Sequence, residues 1–67
     1  MTNQQEIIIE NLERQIKTYQ QMNATMRGNL AYCDDPSDYK DIQRTIERNI
    51  GIIEGIDYAI RAIMEER

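Results

Sequence analysis

The chain has no histidine and a single cysteine. A disulfide framework and the usual zinc sites need several such residues, so both are excluded. Catalysis would fall to carboxylates, lysine or tyrosine alone. The carboxylates sit on exposed helix faces, where raised pKa values are not expected, and no nucleophile–base pair can be assembled around one thiol. No catalytic residue, metal or cofactor is therefore expected. The cysteine, Cys33, falls on an apolar stripe and reads as a reduced core thiol of a cytosolic protein. There is no long hydrophobic run either: the isoleucine run Ile7 to Ile9 is three residues and no hydrophobic run exceeds four. That is far short of the about 20 residues of a membrane span and of a signal-peptide core. The expected location is the cytoplasm, with no membrane partner. No proline interrupts residues 3–33, and no alternating apolar–polar segment of strand length occurs.

What the sequence does have is two apolar stripes at alternating steps of three and four. The first is Ile9, Leu12, Ile16, Tyr19, Asn23, Met26, Leu30 and Cys33; the second is Tyr39, Ile42, Ile46, Asn49, Ile53, Ile56, Ile60 and Ile63. In each, only the asparagine is neither apolar nor aromatic. Folding the chain back on itself pairs the stripes term by term, every facing pair of position numbers adding to 72, and sets Asn23 opposite Asn49. The fold class is therefore all-α: an antiparallel two-helix hairpin, coiled-coil-like, with a period of 3.5 that implies left-handed coiling.

Local signals place the ends. Thr2 followed by Gln5 is a capping box, so the first helix is expected at about 3–33. An acidic turn follows at 34–35. Asp35 then Pro36 reads as an N-cap before a proline at the first helical position, with Asp38 favourable against the helix dipole. The second helix is expected at about 36–65. Asp34, Asp35, Ser37 and Asp38 could together hold a cation, but they lack the glycine and distal glutamate of an EF-hand loop, and capping is the better reading.

Sixty-seven residues form a single domain, 1–67, that buries little surface alone. Two helices side by side also leave each core residue an open flank. A second copy is the economical remedy, giving a four-helix bundle by homodimerisation, with a tetramer as the alternative. One flank carries Ile8 and Met22 of the first helix and Ile52 and Ala59 of the second. It is drier than the other, where Glu13, Gln20 and Arg27 face Gln43, Ile50 and Asp57. Gly51, Gly55 and Ala59 recur every four residues beside Tyr58. They read either as tolerated surface or as a shallow groove that a neighbouring backbone approaches, as small residues permit between membrane helices. The Asn23–Asn49 layer reads as a device for register and oligomer state.

The net charge of −4 is concentrated in residues 34–38, and the helices are nearly balanced. These features suit a homo-oligomeric interaction module that binds, inhibits or regulates a larger protein. One alternative is an RNA-binding bundle regulator, on architecture alone. Acids among Arg14, Lys17, Arg44, Arg48 and Arg61 argue against nucleic acid. Another is sequestration of a small ligand or nucleotide between subunits, at the asparagine layer or the glycine groove.

Overall fold

A computed structural model describes residues 2–65 as two helices, α1 (Asn3–Leu30) and α2 (Pro36–Glu65), joined by a short turn and packed against each other. The hairpin is a rod, with extents of 50 × 14 × 11 Å.

The start of α1 is held by both halves of a capping box. The Gln5 backbone N–H donates to Thr2 Oγ1 at 3.2 Å, and the Thr2 N–H donates to Gln5 Oε1 at 3.0 Å. Two otherwise orphaned donors are thereby satisfied. At the start of α2 the Ser37 N–H donates to Asp35 Oδ1 at 2.9 Å and the Tyr39 N–H to the Asp35 carbonyl at 3.0 Å. Asp35 is thus the N-cap, and Pro36 occupies a position whose missing N–H costs nothing. The carboxylate is committed to the backbone, and no group of metal-ligating residues gathers among the described residues.

The end of α1 differs from the expected residue 33. The α-helix stops at Leu30, and the next three residues tighten into i→i+3 bonds. Ala31, Tyr32 and Cys33 N–H groups donate to Gly28, Asn29 and Leu30 carbonyls at 3.1–3.3 Å. These bonds satisfy the last carbonyls while the chain reverses. The connection therefore takes residues 31–35, longer than the acidic pair 34–35. Its effect reaches the last layer of the seam. Cys33 is half-buried, with its thiol donating to the Asp35 carbonyl at 3.5 Å, and Tyr39 opposite is exposed.

The other fourteen seam positions are buried or half-buried, and Gln5, one heptad before Leu12, is also half-buried. The core is thin. Only Ile9, Ile46 and Ile60 are buried apolar residues, and no described side chain is fully enclosed.

The caps carry a measurable share of this stability. Asp35→Ala should lower the free energy of unfolding by about 1 kcal/mol, read as a denaturant midpoint at fixed protein concentration. An unchanged midpoint would show that the Ser37 N–H is served equally well by water.

Candidate functional site

The two asparagines are the most buried residues described, Asn23 at 2% and Asn49 at 3% exposure. Asn49 Nδ2 donates to Asn23 Oδ1 at 3.0 Å. Asn23 Nδ2 in turn donates to the Ile46 carbonyl of α2 at 3.5 Å. Among the described residues no fully buried side-chain nitrogen or oxygen lacks a partner. The pair is thus better satisfied than two facing amides alone would be, because a backbone carbonyl completes it.

On one side of this layer lies a shallow open groove lined by Gln20, Asn23 and Arg27 of α1 and Ile50, Ile53 and Glu54 of α2. Residues three before and four after Asn23 therefore share a flank with the residue following Asn49. The opposite flank is the one carrying Ile8, Met22, Ile52 and Ala59. Ile52 and Ala59 are half-buried there, as are Thr45 and Ala62, whereas Ile8 and Met22 are exposed at 48% and 44%. Apolar exposure alone does not separate the flanks, because Ile50 and Met64 on the groove side are also exposed.

Charge does separate them. All six charged residues of α1 are Glu6, Glu10, Glu13, Arg14, Lys17 and Arg27. At about 100° per residue they fall within an arc of about 140° that begins at the groove side. The opposite side, including Ile8, Asn11, Gln15, Thr18, Met22, Thr25 and Asn29, carries none. On α2 the same flank has Asp38, Asp41 and Arg48 near the turn, and beyond them Ile52, Gly55, Ala59 and Ala62 without charge. Charge position at helical period, plotted beside hydrophobicity, is the sequence signal that marks this flank on α1 and on the half of α2 beyond Arg48.

No family model, curated protein or solved structure matches the chain.

The small residues of α2 open outward. A Cβ built on Gly51 or Gly55 meets no atom within 4 Å, and the same holds for Gly28. Within one chain no close backbone approach offsets the cost of these glycines. Tyr58, next to them, is 77% exposed, and Tyr32 at the end of α1 is exposed as well. The one ion pair among the described residues, Arg61–Asp57 at 3.0 Å, is an i,i+4 surface contact and contributes little.

Asn23→Leu or Asn49→Leu alone strands the partner amide and should destabilise by about 1–3 kcal/mol, while the double substitution should be at least as stable as the parent. Thermal melts of the three variants check this; a double variant less stable than either single one contradicts it. Gly51→Ala and Gly55→Ala should each stabilise the hairpin by about 0.5–1 kcal/mol, since the added methyl has open space and removes backbone entropy. A loss of helicity by circular dichroism in either variant contradicts that.

Proposed function

We propose that this chain is a small homo-oligomeric protein, a helical hairpin that dimerises into a four-helix bundle and serves as an interaction module inhibiting or regulating a larger protein partner. The reading assigns it no catalysis, and its one free thiol suits the reducing cytoplasm. No helix among the described residues is long and apolar enough to cross a membrane.

The observation that carries the reading is surface left unburied. A compact monomer of 7.9 kDa exposes about 4,400 Å². This hairpin exposes 5289 Å², an excess of about 900 Å² over that scaling. Large apolar side chains stand on that surface, including Ile7, Ile8, Met22, Ile50 and Met64. A second helical surface is what such a rod is built to receive.

The two alternatives draw less support. Arg14 and Lys17 share a groove with Glu10 and Glu13, and Arg44 and Arg48 share one with Asp41. Neither supplies the local basic patch that phosphate binding needs. A small ligand at the asparagine layer would compete with amides already bonded within the chain.

Sedimentation equilibrium with native mass spectrometry at micromolar concentration tests the proposal. The expected species has twice the 7.9 kDa chain mass, with a tetramer as the larger assembly the reading also allows. A stable folded monomer would contradict it.

A further inference from the structure

We infer that the flank on which α1 carries no charge is the surface on which a second copy of this chain docks, with the turn of one copy against the open end of the other. The inference rests on the reading that the chain self-associates and adds the face and the orientation.

Three observations converge on it. The first is charge. A two-fold interface brings a patch against itself, so any charge near its centre meets a like charge or is desolvated. Interface cores are correspondingly depleted in charge. The flank of α1 through Gln15, Thr18 and Met22 has no charged residue along its whole length; α2 adds Ile52, Gly55, Ala59 and Ala62 beside it and carries Asp38, Asp41 and Arg48 on its turn-side half. The opposite flank would bury Glu13, Arg27 and Asp57.

The second is area. The excess of about 900 Å² over a compact monomer matches the about 800 Å² that each partner contributes to a standard stable interface. One additional copy of this chain, docked along one flank, is enough to account for it.

The third sets the orientation. The turn end concentrates Asp34, Asp35, Asp38 and Asp41 against the single Lys40. Turn-to-turn docking would crowd these acids. Turn-to-open-end docking separates them along a rod 50 Å long, several times the Debye length of about 8 Å at physiological salt. The two-fold axis then crosses the hairpin near mid-length, beside Thr18 and Met22. Gly55, where an added methyl meets nothing within the chain, lies on the same flank and leaves room for the incoming copy.

The test is sedimentation equilibrium on the full chain and on Thr18→Glu, Ala62→Glu, Thr18→Gln and Gln20→Glu, with helicity checked by circular dichroism. Glutamate is a good helix former, so the hairpin should persist; if one flank variant unfolds, the other decides. Thr18→Glu and Ala62→Glu should each raise the dimer dissociation constant at least about 100-fold by burying an unpaired charge. Thr18→Gln and Gln20→Glu should leave it within about threefold, a change of under 1 kcal/mol. A spin label on Cys33, with dimerisation of the labelled chain confirmed, should report a separation of about 40 Å, since Cys33 lies some 20 Å from mid-length. Dimerisation that ignores both glutamates on the flank but is lost with Gln20→Glu moves the second copy to the other flank. It overturns this inference while leaving self-association intact. A label separation of about 20 Å or less, the turns then lying one helix-pair width apart, overturns it through the orientation. A parent chain that stays a folded monomer overturns both the inference and the reading beneath it.

Discussion

The buried Asn23–Asn49 hydrogen bond, together with the short turn at residues 31–35, fixes how the two helices align. The apolar stripe of α2 is isoleucine at six of its eight positions, with one tyrosine and Asn49 as the exceptions. Sliding α2 by a heptad against α1 would set isoleucine against nearly the same set of leucine, isoleucine and methionine. Hydrophobic burial is non-directional, so it discriminates weakly among such slips. Asn49 Nδ2 to Asn23 Oδ1, backed by Asn23 Nδ2 to the Ile46 carbonyl, exists in one register only. Any other leaves two amides buried against hydrocarbon, each costing about 1–3 kcal/mol. The polar layer selects among alignments that the apolar layers leave nearly degenerate.

That constraint also explains where the hairpin is tight and where it is open. Burial is deepest at the asparagines and falls off on both flanks, since two helices cannot enclose a core. What remains outside is divided by charge. One side of α1 carries every charge it has and the other side carries none. A monomer that needed only solubility would have no reason for this division. It fits the proposed dimer, with one side turned to another copy and the other side left to solvent. The groove side, with exposed Ile50 and Met64 among mixed charges, suits a transient contact better than a permanent one.

Much of the fold was legible in the residues because each signal had a local physical cause. Thr2 with Gln5 and Asp35 with Pro36 announce helix starts by the donors they satisfy, and the asparagines announce the register by standing out from two apolar stripes. The end of α1 was not legible. No glycine or asparagine in a left-handed conformation closes it, and Ala31 and Tyr32 have no property that forbids helix. The stop at Leu30 comes from the need to reverse the chain within reach of Asp35. The candidate site was legible only in part. Ile8, Met22, Ile52 and Ala59 pointed to a flank, but Ile50 and Met64 are equally apolar on the other. The separation lies in the charges. The row of Gly51, Gly55 and Ala59 read either as tolerated surface or as a groove for a neighbouring backbone, and within one chain nothing approaches Gly51 or Gly55.

Proton NMR on the side-chain amides of Asn23 and Asn49 shows whether the asparagine layer fixes the hairpin. Nuclear Overhauser contacts are expected between the two carboxamides and between the Asn23 amide and Ile46, with amide exchange slowed well below that of exposed asparagines such as Asn11. Contacts from Asn49 to Leu30 or Ile16 instead, the neighbours one heptad away, or amides that exchange at the free rate, would contradict that role.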